Sequence, residues 1–209
     1  YTPGEFPLPA ESQSADLYKM ASETLKNAGY EHYEISSYCK PGHECRHNLT
    51  YWQNQAFYGF GLSSASYING VRFSRPRKLK EYEVFVNELE AGSVSANGNT
   101  SIVRDKEMAM DLVMLSLRTA RGLDVKGFEK CFGESVVLSL CRAWRPHVES
   151  GHVVAMNGDR KAFSFEGFDL ELNGGSGLGR RIAFFRLSDP EGFLLSNELI
   201  AIAFSVLSP

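Results

Sequence analysis

His47, Asn48, Tyr51 and Trp52 place an imidazole, a carboxamide, a phenol and an indole within six consecutive residues. Imidazole is the most common metal-ligating side chain, and two large aromatic rings beside it suit a flat partner. A second stretch follows closely: Gly59-Phe60-Gly61-Leu62-Ser63-Ser64-Ala65-Ser66-Tyr67. Backbone with so few side-chain atoms lets another group approach the main chain. Together the two stretches point to a flat aromatic or cofactor-like ligand without naming one. Each residue also has an ordinary structural reading. His47 can cap local backbone, Tyr51 and Trp52 can be packing residues, and Asn48 can fix its loop through its amide. The Gly-x-Gly at Gly59 to Gly61 is no phosphate loop, because the lysine and the third glycine are missing.

Charge around these stretches is one-sided. Between Cys39 and Lys80 there are seven cations (Lys40, Arg46, Arg72, Arg75, Arg77, Lys78, Lys80) against one acid, Glu44. Such a segment suits carboxylates or phosphates, or is simply a solvated surface. The whole chain is balanced: 209 residues, 43% hydrophobic, 22% charged, net charge −3. That composition is a globular protein's and argues against a general nucleic-acid binder. No apolar run approaches the roughly 18 residues of a membrane span. The four cysteines, Cys39, Cys45, Cys131 and Cys141, fit neither a zinc knuckle nor a Cys-x-x-Cys redox pair. Idle thiols in a reducing compartment are the simplest reading.

The elements that must position the site follow from periodicity. A helix is expected from Pro9 to Ala28, with Leu17, Ala21, Leu25 and Ala28 at helical spacing, then a strand from Tyr30 to Ile35. Helix-then-strand is the repeating unit of an α/β barrel. His47 to Asn54 reads as a short helix or an extended turn. Asn69-Gly70 predicts a hairpin joining Ser66–Ile68 to Val71–Ser74. A helix from Leu79 to Ala91 presents Leu79, Tyr82, Phe85, Val86 and Leu89 on one face. Gly92 to Thr100 reads as a linker, which places a domain boundary near residue 100. Beyond it, helices are expected at Arg104–Arg121 (Met108, Leu112 and Leu115 inward), Asp124–Phe132 and Glu134–Ser150. Strands are expected at His152–Met156, Ala162–Phe165 and Ile182–Leu187, with Gly167–Arg181 as a flexible insertion. Asp189-Pro190 reads as a helix start with Asp189 as cap, and the last helix buries Leu194, Leu195, Leu199 and Ala203. Three helices, a hairpin and a closing helix make this half winged-helix-like. From Arg104 to Glu198 it has 13 basic and 14 acidic residues, and only Arg142 and Arg145 could serve a recognition helix. Packing or protein contact is therefore the better reading than DNA binding.

The chain also resembles a known family in three segments. These are Tyr-Glu-Ile-Ser-Ser-Tyr (Tyr33 to Tyr38) running through Pro41-Gly42 into His-Asn-Leu-Thr-Tyr-Trp (His47 to Trp52), then Gly59 to Tyr67, then Leu-Ser-Asp-Pro-Glu-Gly-Phe-Leu-Leu-Ser-Asn-Glu (Leu187 to Glu198). Their order and spacing resemble the carboxy-terminal part of HemW-type heme chaperones, relatives of the oxygen-independent coproporphyrinogen III oxidases. The resemblance implies an α/β fold: residues 1–99 the last part of a radical-SAM (β/α) barrel, residues 100–209 a small winged-helix-like accessory domain. It implies heme or porphyrin as ligand, a heme-acceptor protein as partner, and His47 as candidate iron ligand, with Asn48, Tyr51 and Trp52 around it. Lys40, Arg46, Arg72 or Arg75 become candidate propionate partners. Gly59 to Ser66 resembles the family's final barrel strand and the loop after it. In the related oxidases the segment matching Gly61, Ser63 and Ala65 supplies backbone contacts to S-adenosylmethionine. The chain departs from many HemW-type sequences there: Ser63-Ser64 stands for Gly-Ala, and Ala65 for a frequent histidine, so that histidine's role does not transfer. The family's Cys-x-x-x-Cys-x-x-Cys motif for a 4Fe-4S cluster does not occur in the chain. The abrupt start at Tyr1 reads as the middle of a longer protein, where an upstream cluster motif would lie. Cytoplasm is the default compartment, with an organelle as the other. The alternative function is the oxidase itself; the His-Asn-x-x-Tyr-Trp element resembles the chaperone version.

Overall fold

The computed structural model describes residues 10–93, 105–173 and 181–208. The expected linker and domain boundary near residue 100 fall largely outside them. Helix α1 (Glu11–Asn27) comes first. Its packed side is Tyr18, Ser22 and Leu25, while Leu17 and Met20 are exposed. Strand β1 (Glu31–Glu34) pairs antiparallel with β2 (Ser37–Cys39). A loop leads to helix α2 (Arg46–Trp52). Strands β3 (Ala65–Ile68) and β4 (Val71–Ser74) form the expected hairpin. Asn69 (φ 51°) and Gly70 (φ 79°) supply the two left-handed positions that its tight turn requires. Helix α3 (Leu79–Glu90) follows, with Tyr82, Phe85, Val86 and Leu89 half-buried and Leu79 exposed.

One expected strand, at the Gly59 segment, is not formed. Phe57 makes a single bridge to Tyr67, and residues 61–64 form a turn, so regular pairing begins only at Ala65. The described strands pair antiparallel in three small sheets.

The second part begins with α4 (Asp105–Leu117), β5 (Leu123–Asp124), α5 (Val125–Phe132) and α6 (Glu134–Glu149). Then come β6 (Val153–Met156), α7 (Phe165–Asn173), β7 (Phe184–Leu187), α8 (Glu191–Leu194) and α9 (Ser196–Leu207). The sheet order β5-β7-β6, all antiparallel, behind three helices gives the winged-helix-like arrangement. Asp124 caps α5 by accepting the Gly127 N–H at 3.1 Å. The stripe Val137, Cys141, Trp144 and Val148 of α6 is buried, as its spacing predicts. Trp144 satisfies its indole N–H on the Leu199 carbonyl of α9 at 3.1 Å and meets Phe185 edge-on.

Four expectations are corrected. Ala162–Phe165 is not a strand: Ala162 makes one bridge to Met156, and Phe165 already starts α7. The stretch from Gly167 is helix through Asn173, with Phe168 fully buried in the core. Helix α4 turns Ala109, Val113 and Leu117 fully inward beside Leu115, leaving Met108 exposed and Leu112 half-buried. Helix α9 buries Leu199, Ile200, Ala203 and Leu207, while Leu194 and Leu195 are half-buried. Among the described residues, no helix is long and apolar enough to cross a membrane.

Strand β1 joins the two parts. On one edge it pairs with β2; on the other, Ala120 N–H donates to Tyr33 O (2.9 Å) and Ile35 N–H to Arg118 O (3.1 Å). Asp189 clamps the same strand from the far end of the chain. It is not a helix cap; it accepts from buried His32 Nδ1 (2.7 Å), Ser22 Oγ (3.1 Å) and Lys26 Nζ (2.7 Å). Burial pushes the Asp189 carboxyl up, but the His32 and Lys26 hydrogen bonds outweigh that and hold it at about 2.

Candidate functional site

Helix α2 is seven residues long, and its sequence sorts the four candidates by face. Residues four apart lie on one side of a helix, so His47 pairs with Tyr51 and Asn48 with Trp52. The helix starts after extended Cys45, whose carbonyl accepts the Leu49 N–H at 2.9 Å. It ends at Trp52 with Gln53 as cap, and Asn54 beyond it, at φ 52°, ties this end to the hairpin through Tyr67 Oη (3.0 Å) and Arg72 (3.3 Å).

The inner pair is committed to structure. Asn48 Nδ2 donates to Glu34 Oε1 at 3.2 Å, and Trp52 Nε1 donates to Glu34 Oε2. Ser37 Oγ also donates to Glu34 Oε1. Glu34 is 3% exposed, so these three donors replace the water its carboxylate has lost. The Asn48 amide is therefore spent on a strand carboxylate and not on its own loop. Sequence reasoning misses Glu34 as the hub. The signal for it is an acid at the inward end of a short strand, followed in the chain by an Asn and a Trp four apart.

The outer pair is exposed or half-exposed. His47 Nε2 lies 3.0 Å from Tyr51 Oη, with the two rings perpendicular at 4.8 Å. Tyr51 in turn meets Phe57 edge-on at 4.5 Å. With one imidazole nitrogen engaged by the phenol, the other is left for a ligand. Beyond Phe57 the chain exposes Tyr58, Phe60 (87%) and Leu62.

Gly61, Ser63 and Ala65 lie in the turn and strand beyond Phe57, apart from the helix. Closeness in this loop is partly used by the chain itself: a Cβ at Gly59 would stand 2.1 Å from Ala65 O. At Gly61 the corresponding space is open, with nothing within 4 Å. Ser63 N–H donates to Pro76 O (3.1 Å), and Ser64 Oγ to Gly61 O (2.8 Å).

The candidate cations divide as well. Arg72 is an internal brace: it pairs with Asp111 of α4 at 3.2 Å and lies over the Tyr67 ring. Lys40 donates to Ala28 O at 2.6 Å and sits over Tyr30. Arg75 lies over Phe73 and Phe85. Arg46, adjacent to His47, is exposed. In the second part, Arg145 pairs with Asp169 at 2.6 Å, which occupies one of the two cations considered for nucleic acid. All four thiols are free, and burial pushes Cys141 up to about 12. Among the described residues, no group of three His, Cys, Asp or Glu is placed to hold a metal ion.

A protein of the same organisation is known. The fold resembles that of coproporphyrinogen III oxidase (HemN) from Escherichia coli, described as a radical SAM enzyme, with TM-score 0.57 and 16% identity over 94% of this chain and 42% of that one. In sequence the chain is 32% identical to the heme chaperone HemW of Synechocystis over 98% of its own length and 47% of the relative's. It is 31% identical to the HemW of Lactococcus lactis over 62% of the chain and 35% of the relative, and 32% identical to that of Bacillus subtilis over 64% and 34%. No protein-family model matches. The chain belongs to the HemW-like family and matches its carboxy-terminal part. It spans between a third and a half of the length of these curated relatives.

Proposed function

We propose that the chain is part of a protein that binds heme and passes it to an acceptor protein, and that the outer face of α2 is where it meets the heme. One observation carries this reading: His47 and Tyr51 lie on the outer face, while Asn48 and Trp52 hold the helix onto Glu34. The Tyr51 oxygen, accepting from Nε2–H, leaves the Nδ1 lone pair of His47 for iron. An outward ligand on a short helix suits cargo that must be handed over, since a deeply enclosed one would be released slowly. Arg46, exposed and next to His47 in the chain, is the cation we propose for a propionate. The names of the relatives, heme chaperones, support the same reading.

For the whole protein we propose S-adenosylmethionine and a 4Fe-4S cluster as cofactors, the former against the backbone of Gly61, Ser63 and Ala65. The cluster's Cys-x-x-x-Cys-x-x-Cys ligands are not in this sequence. We also propose the division into a barrel part at residues 1–99 and an accessory domain at 100–209. Free thiols agree with a reducing compartment such as the cytoplasm.

The test is a hemin titration followed at the Soret band. Wild-type chain should bind saturably, and His47→Ala should weaken binding at least tenfold with unchanged far-ultraviolet circular dichroism. Equal affinity in the variant would remove His47 as ligand.

A further inference from the structure

The two parts of the chain line an open cavity of about 940 Å³ that the heme reading does not use. Its walls come from both sides: Leu49 and Trp52 of α2 and residues 31–33 of β1 face Leu112 and Ser116 of α4 and the segment from Thr119 into β5. Small-molecule sites run from roughly 300 to 1,000 Å³, mostly apolar with a few placed polar groups, and this cavity lies at the upper end of that range.

Its lining carries three acids and two arginines. Glu31 and Glu44 come from the first part; Arg121 and Arg160 come from the second. The second part's acid, Asp124, has one carboxylate oxygen on the Gly127 N–H. Arg160 is held in place. Its Nη1 donates to Arg121 O at 2.9 Å and its guanidinium lies 4.1 Å from the centre of the Phe184 ring. Its backbone is left-handed, φ 59°, in a turn where Asn157 Oδ1 accepts the N–H groups of Asp159 (3.0 Å) and Lys161 (2.9 Å). Arg121 is held through its neighbour: a Cβ at Gly122 would stand 2.2 Å from Phe185 O, so the chain is pressed against β7 there. Both arginines thus line this space, with the Arg160 guanidinium held against Arg121 O and Phe184.

We infer that this cavity is a second ligand site, separate from the outer face of α2, for an aromatic or other apolar organic anion. The body of the ligand lies against Leu49, Trp52 and Leu112. Its carboxylate or phosphate meets Arg121 and Arg160, where a planar guanidinium can give two hydrogen bonds to one anionic group.

The probe is 1-anilinonaphthalene-8-sulfonate, read by its own fluorescence and by quenching of tryptophan emission. Trp52 lines the cavity, whereas Trp144 is fully buried in the core. Wild-type chain should bind saturably. Ser116→Phe, which projects a ring into the cavity, should weaken binding at least tenfold, and Arg121→Ala with Arg160→Ala at least fivefold. Ala120→Leu is a milder filler to use if Ser116→Phe does not fold. Neutral N-phenyl-1-naphthylamine should bind several-fold more weakly than the sulfonate. Displacement by 2-naphthoate would identify a carboxylate ligand, and displacement by 1-naphthyl phosphate a phosphate ligand. Displacement by neither, equal binding of the neutral probe, or unchanged affinity in folded cavity-filling variants would overturn the assignment. The hemin Soret shift should survive in the filled variant; its loss would show one shared site and overturn the second.

Discussion

The two faces of α2 carry the same kinds of side chain and do opposite work. On the inner face, Asn48 and Trp52 deliver their N–H groups to Glu34, a carboxylate 3% exposed. On the outer face, His47 and Tyr51 bond to each other and leave one imidazole nitrogen uncommitted. The difference lies in what each pair meets, not in residue type. A buried carboxylate must be satisfied, so its donors are committed to structure. An exposed imidazole steadied by a phenol is under no such constraint and can take a ligand. In His-Asn-x-x-Tyr-Trp, helical geometry therefore interleaves two residues bonded to Glu34 with two that face outward.

The sharpest way to break this division is at the inner face. Glu34→Ala would leave the donors of Ser37, Asn48 and Trp52 without their acceptor, at a cost of about 3 kcal/mol in urea unfolding. A loss below about 1 kcal/mol would mean that the inner face is not the anchor.

Acid should act on the clamp at Asp189. The carboxyl of Asp189 is lowered from its ordinary 3.8 to about 2, so its stabilisation is complete above pH 4 and is lost as pH falls from about 4 to 2. That difference corresponds to about 2 kcal/mol. Unfolding free energy measured across this range should fall less steeply in Asp189→Asn than in the wild type; parallel curves would refute the clamp.

Asn48→Ala removes one inner donor and should cost about 1 kcal/mol, seen as a small drop in the urea midpoint. His47→Ala has the smallest effect on folding, within about 0.5 kcal/mol, as expected of an exposed residue away from the core. A large loss of stability there would erase the contrast between the faces.

Much of this is legible in the sequence because it rests on local chemistry. Asn69-Gly70 specifies its hairpin and the Val137-to-Val148 stripe the buried side of α6, since each depends on residues a few positions apart. The family resemblance locates α2 and the loop after it. What the sequence hides depends on distant partners. Asp189 reads locally as a helix cap, yet it bonds to His32, 157 residues away. Glu34 looks like an ordinary strand acid until α2 folds onto it. Helix α4 is apolar on nearly every side, so its sequence does not fix which residues turn inward, and Met108, expected inside, is exposed. Helix α7 is hidden because a short aromatic run, Phe163 to Phe168, also fits a strand followed by a loop. His47, Asn48, Tyr51 and Trp52 all stand out in the sequence, but only the fold divides them into two pairs.

The most direct test is one hemin titration run on His47→Ala and Asn48→Ala side by side, with a urea melt of each. The two faces predict crossed results: His47→Ala keeps wild-type stability and loses the Soret shift, while Asn48→Ala keeps the Soret shift and loses stability. Loss of hemin binding in Asn48→Ala with binding intact in His47→Ala would contradict the account.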